Sequence, residues 1–274
     1  MIFRPRSLRA AVVTRGLVLI AVLLSSSTAQ SPAQRPKTPG PAKPPLKGAA
    51  KPAAAASKKP VTAAIPKFSM AVHLDEVIRK AIREKQIPGA VVLIGHKGSV
   101  VYQKAYGSRA LVPSREPMTL NTIFDAASLT KVVATTSAVM KLFEEGKIRL
   151  NDKVTEYLPE FQGGTSDITV RHLLTHFSGL RPDVDLKPEW SGYRTGIHLA
   201  MIDNPVAAPG ERFIYSDINF VLLGEMVQRL TGKTLPAYVN EEIFMPLGMN
   251  DTTFQPAAAL RRRIAPTERL NGDP

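Results

Sequence analysis

Apolar side chains recur at Leu74, Val77, Ile78, Ala81 and Ile82, a spacing that stripes one face of an α-helix. Pro88-Gly89 ends that helix, and two strand-like runs follow at 90–95 and 99–106. Lys97-Gly98 between them has the chemistry of a tight hairpin turn. After a loop holding Pro113 and Pro117, a short extended run at Phe124 feeds a helix predicted to reach about Glu145, with Gly146 as its stop. Val132, Val133, Val139, Met140, Leu142 and Phe143 give that helix broad apolar surface. A polar connection covers 150–161, and Thr169 is placed to cap a short helix through His172 to His176, closed by Ser178-Gly179. Residues 181–196 read as loop, and a short helix is predicted over 197–202. Tyr215-Ser216-Asp217 leads into a helix over 218–231 stopped by Gly232. Thr234 caps the next helix, with Pro236 in its first turn, where a missing N–H is tolerated. That helix ends near Met245-Pro246, and one more turn is expected around 260–263.

This inventory holds two strands and many helices. A lone hairpin is marginal in water. No strand-like run after Phe124 widens the sheet, and 270–274 is turn chemistry. The pattern therefore predicts that a C-terminal part of the fold is missing from this sequence.

Charge changes the picture once it is located. The chain carries 36 Lys and Arg against 23 Asp and Glu, a formal net of +13. Twelve of the basic residues fall before Asp75, the first acidic residue. From there onward 24 basic face 23 acidic, a net of +1, so charge gives no case for a nucleic-acid partner. Residues 1–30 have the form of a secretory signal: Arg4, Arg6, Arg9 and Arg15, then an apolar run from Gly16 to Leu24, then small residues at Ser27-Thr28-Ala29. A periplasmic or secreted location is the expectation, with an uncleaved membrane anchor as the alternative. Residues 31–67, rich in Pro, Ala and Lys, read as an extended linker able to touch an anionic cell envelope weakly. The folded region is then 68–274. Cysteine is absent, which excludes disulfides, cysteine metal sites and a thiol nucleophile.

The candidate chemistry begins at Ser128 and Lys131. Three residues apart at a helix entrance, the hydroxyl and the amine can meet on one face. A free amine beside a hydroxyl makes an activated nucleophile, and the helix N-terminus offers N–H groups to an oxyanion. The plainer alternative is a serine N-cap followed by a surface lysine. Tyr215, on a loop entering a helix, can relay a proton or can be a core-edge tyrosine. His172 and His176 have a zinc-ligand spacing, but Leu173 stands where a metalloprotease needs Glu, so packing and loop hydrogen bonding are the better reading. No G-x-S-x-G elbow occurs, and Gly95 with Gly98 precedes a strand, unlike a dinucleotide fingerprint.

Four segments occur in one order: Phe124–Lys131, Arg171–Leu180 (RHLLTHFSGL), Pro209–Asp217 (PGERFIYSD) and Pro246–Met249 (PLGM). Together they resemble the penicillin-recognising serine hydrolases, in the branch of class C β-lactamases, D-alanyl-D-alanine carboxypeptidases and related esterases. The resemblance spans about 72–268. It implies a β-lactamase/transpeptidase-like α/β sandwich with a helical domain and a site between them. It implies Ser128 as acylated nucleophile, Lys131 as base or relay and Tyr215 as the partner passing the proton on. The substrate would be a β-lactam, a D-Ala-D-Ala peptide of peptidoglycan type or a small ester, with no cofactor and no metal.

Two departures stand out. Asp217 occupies a position that is often Asn in the family; an ionised Asp cannot donate to a substrate carbonyl, and beside Lys131 it favours the charged amine. Asp217 could instead cap the helix it precedes. Second, nothing after Asp217 matches the family's Lys-Thr-Gly strand or its His-containing equivalent. The expectation is a fragment of a longer hydrolase. The alternative is an envelope-associated binding domain that keeps the fold without turnover.

Overall fold

The computed structural model describes residues 68–163 and 167–267. The signal expected over 1–30, the linker over 31–67 and the turn over 270–274 lie outside the described residues. Helix α1 spans Ala71–Arg83, strand β1 Gly89–His96 and strand β2 Ser99–Ala110. The two strands pair antiparallel from Gly89 opposite Gly107 to His96 opposite Ser99. Lys97 and Gly98 both take positive φ, as a two-residue hairpin turn matching strand twist requires.

The apolar stripe of α1 is only half-buried, and none of its residues is fully buried. Its polar attachment is strong. The Asp75 carboxylate accepts from Tyr102 Oη (2.6 Å), Tyr106 Oη (2.5 Å) and Lys104 Nζ (2.5 Å), tying α1 to β2. The Lys104 ammonium first, then the two phenols, hold the Asp75 carboxyl well below the usual carboxylate range.

The sheet has a strand that the sequence pattern does not show. Strand β3, Glu116–Pro117, pairs antiparallel with Ser108 and Ala110 of β2. It is an edge strand, the place where a proline that cannot donate is tolerated. An isolated parallel bridge ties Ile264, just after the 3-10 turn at Ala258–Arg263, to Ile123, through Ile123 N–H to Arg263 O (2.8 Å) and Ala265 N–H to Ile123 O (2.8 Å). Among the described residues no strand after Phe124 widens the sheet, as the pattern predicts: the Ile123–Ile264 bridge is isolated and lies outside the three strands.

The helix predicted to run to Glu145 is divided. Lys131–Thr136 is π-helical and helix α2 proper spans Ser137–Glu144. Gly146 ends it with φ +70°. Helix α3, Val170–Leu174, begins at Thr169, whose hydroxyl accepts from His172 N–H. Helix α4 spans Tyr193–Met201 and starts earlier than expected. Gly196 inside it reads as a loop residue, but Trp190 packs where its side chain would be. Helix α5 spans Asp217–Thr231, ended by Gly232 in the left-handed region. Helix α6, Leu235–Val239, starts at the Thr234 cap and continues as π-helix over Asn240–Phe244.

Helix α5 is the centre of the core. Ile218, Leu222, Leu223, Met226 and Val227 are fully buried among Ala138, Val139 and Leu142 of α2, Leu173 of α3, Met201 of α4 and Val239 of α6. Burying a large apolar side chain contributes roughly 1.5–3 kcal/mol each. This cluster therefore anchors the N-termini of both α5 and the Lys131–Glu144 helix, and the site lies at those two ends.

Candidate active site

Ser128 stands in a turn just ahead of the π-helical segment. Asp125 Oδ1 accepts from Ala127 N–H (2.9 Å), and Ala127 takes φ +43°. A positive φ is costly for a residue with a Cβ and clusters at functional turns. The chain then tightens: Leu129, Thr130 and Lys131 donate to the carbonyls of Ala126, Ala127 and Ser128. No partner is found for the Ser128 N–H among the described residues. The π-helix that follows is a rare form, frequent at functional sites.

Lys131 Nζ donates to Ser128 Oγ at 3.3 Å. The same nitrogen lies 2.7 Å from Asp217 Oδ1, an ion pair whose alignment falls short of a hydrogen bond. It sits 5.0 Å from the Tyr215 ring centroid and 5.8 Å from that of Phe220. Burial pulls the Lys131 ammonium toward neutrality, but Asp217 and Tyr215 outweigh it and hold the amine above its ordinary range. No aligned hydrogen bond joins Tyr215 Oη to Ser128 or Lys131 among the described residues. The three candidates thus share one site, with Tyr215 placed by ring contact. Asp217 does not cap α5: the N-cap is Ser216, and Asp217 is the first helical residue, facing Lys131.

Ser128, Lys131 and Tyr215 line an open depression of about 480 Å³, together with Asp125, His176 and Phe220. His176 is a site residue that its spacing does not mark. Its ring stacks 4.5 Å from Tyr215 and 5.2 Å from Phe220. Burial first, and the Lys131 charge second, lower its pKa against a smaller opposing effect of Asp217. His172 is occupied elsewhere, its Nδ1 accepting from Thr169 N–H at 3.2 Å. The two histidines therefore serve different hydrogen bonds. Asp183, on the neighbouring turn, has its carboxyl raised by burial against the opposing Val184 N–H, with Asp217 adding to the rise and Lys131 opposing it.

The beta-lactamase family profile matches residues 74–274. The chain belongs to the beta-lactamase family. It is 34% identical over 206 residues to esterase EstB of Burkholderia gladioli, covering 68% of this chain and 52% of that protein. The octameric penicillin-binding protein homologue of Pyrococcus abyssi superposes with a TM-score of 0.62 at 32% identity, over 71% of this chain and 47% of the other. A class C beta-lactamase gives a TM-score of 0.61 at 26% identity, over 72% and 54%. The fold is beta-lactamase/transpeptidase-like, mixed α/β with a small three-stranded sheet among the described residues. The chain spans about half the length of the curated relatives it matches.

Proposed function

We propose that Ser128, Lys131 and Tyr215 form the acyl-transfer centre of a serine hydrolase acting on an amide or ester. The observation that carries this reading is the contact of Lys131 Nζ with Ser128 Oγ at 3.3 Å within an open depression. In its free-base form Lys131 takes the Ser128 proton while Oγ bonds to the substrate carbonyl carbon. The C=O π pair moves onto oxygen, which the unpartnered Ser128 N–H is available to stabilise. Collapse of the tetrahedral adduct expels the amine or alcohol, which receives the proton by way of Tyr215. Water then attacks the Ser128 ester, releasing a carboxylic acid and restoring the hydroxyl.

The substrate classes this reading admits are β-lactams, D-Ala-D-Ala peptides and small esters, in keeping with the names of the relatives. Residues 68–274 form the hydrolase region, behind a secretory signal and a basic linker, so the setting is periplasmic or extracellular. No cofactor enters the chemistry as drawn. A second reading rests on Asp217. A carboxylate 2.7 Å from Lys131 favours the ammonium, which cannot accept a proton, and that suits an envelope-associated binding domain.

Incubation of the chain with a fluorophosphonate or a fluorescent penicillin, followed by peptide mass spectrometry, separates the two. Acyl transfer predicts one adduct on the Ser128 peptide, lost in Ser128→Ala. No adduct with either probe supports the binding domain.

A further inference from the structure

His176 is held in a strained backbone conformation, φ +60°, without being glycine. Residues with short polar side chains and His are those that tolerate this region. The strain is offset by what the residue holds. Its carbonyl accepts from Ile214 N–H at 2.9 Å, and its Nδ1 accepts from Ser216 N–H at 3.1 Å. These two bonds bracket Tyr215 on both sides, and the imidazole stacks on the Tyr215 ring itself. One residue thus grips the tyrosine through the backbone N–H of both flanking residues and by its face.

The hydrogen-bond chain behind His176 fixes its protonation. Leu180 N–H donates to Ser178 Oγ (3.1 Å), so the Ser178 hydroxyl donates onward to Asn219 Oδ1 (2.6 Å). The Asn219 amide N–H then faces His176 Nδ1 at 3.4 Å, beside the Ser216 donor. Two donors on one nitrogen require a bare lone pair there, so Nε2 carries the proton. Asn219 and Ser178 are fully buried, and a proton on Nδ1 would leave two donors unpaired. The charged and titratable groups packed around the ring are Lys131 from the π-helical segment, Tyr215 from the loop and Asp217 from the start of α5.

We propose that His176 is the positioning residue of Tyr215: a neutral imidazole that fixes the tyrosine against Lys131 and releases it when protonated. This inference rests on the acyl-transfer reading for its consequence, but not for its geometry. It follows that Ser128 labelling, already rising with pH through Lys131, steepens further on the acid side, where His176 takes its proton.

Two variants and two readouts on the full chain test it. His176→Phe keeps a stacking ring without the acceptor. His176→Asn restores an acceptor near the Nδ1 position and suits the positive φ. The first readout is the protection of the Ser216 amide against hydrogen exchange by NMR; the second is the rate of Ser128 labelling by fluorophosphonate across pH. His176→Phe should lower both by about tenfold or more and remove the acid-side steepening, as expected when a hydrogen bond is lost and a relay group is misplaced. His176→Asn should recover most of both and also lack the steepening. If the Phe variant does not fold, Ser216 protection in the unaltered chain decides, because it should collapse as the imidazole titrates. Unchanged Ser216 protection, in the Phe variant or through that titration, overturns the proposal. An unlabelled Ser128 in the unaltered chain overturns acyl transfer, while the amide readout still decides the role of His176.

Discussion

Replacing Arg181 by Met tests the support beneath the site. Arg181 places Nε 2.6 Å and Nη2 2.5 Å from Asp203 Oδ1, and its own N–H reaches Oδ2 at 3.4 Å. The Asp203 side chain is fully buried, whereas that of Arg181 is 35% exposed. Methionine keeps most of the packed stem and removes the two charged donors to Asp203, along with the exposed contact of Nη1 with Asp185 (3.0 Å), which contributes little. Removing one partner of a buried pair costs about 3–5 kcal/mol. Because water reaches one side of Arg181, the lower end, about 3 kcal/mol, is expected. For a folded region of this size that is a fall of roughly 6–12 °C in Tm. Adding Asp203→Asn removes the stranded charge, and the double variant should return to within about 1 kcal/mol of the unaltered chain.

The assay is urea unfolding of the unaltered, single and double variants, followed by Ser128 labelling at a temperature where all three are folded. Labelling belongs in the test because the same turn tethers the site. Arg181 O accepts from Ser216 Oγ (2.5 Å), and Pro182 O accepts from Asp217 N–H (2.7 Å). The single variant should label more slowly and the double should recover. A single variant within about 1 kcal/mol of the unaltered chain, or a double no more stable than the single, would refute the reasoning.

Asp217→Asn should move the rising limb of Ser128 labelling to lower pH. Asp217 helps hold Lys131 above its ordinary range, so its loss makes the free amine available earlier; a limb that stays in place in a pH–rate series counts against Lys131 as base. Gly179→Ala should cost more than about 2 kcal/mol by chemical denaturation, since a Cβ there would lie 2.0 Å from Ala207 O with φ at +78°. A near-neutral result would mean that the turn closing the His176 segment can relax.

What was legible in the sequence was local. The stripe of α1, the Lys97-Gly98 turn, the Thr169 and Thr234 caps and the Gly146 and Gly232 stops all act within a few residues, and each stands where its chemistry places it. What was not legible depends on partners far along the chain. Nothing in 131–136 announces a π-helix, because its apolar residues fit a 3.6-residue period equally well. Strand β3 hides behind Pro117, an edge position that only β2 defines. The pairing of Asp217 with Lys131 could be foreseen only as an electrostatic conflict. The grip of His176 on Tyr215 needed the fold, since its two bracketing bonds join residues some forty positions apart.

The conflict at Lys131 can be taken one step further. A seated substrate excludes water from the amine and from the half-exposed carboxylate beside it, and their attraction strengthens as the local dielectric falls. Desolvation opposes the charge, but as long as the pair stays intact through binding Asp217 continues to favour the ammonium, which cannot accept the Ser128 proton. An acylating site must therefore break the pair on binding or pass the proton toward Tyr215, the other group held against Nζ. In both cases Tyr215 must be fixed before the hydroxyl attacks, which is the task its contacts assign to His176. In a binding domain neither demand exists, and the ion pair simply persists. The response of labelling to Asp217→Asn, more than the mere presence of Ser128 and Lys131, is what distinguishes the two.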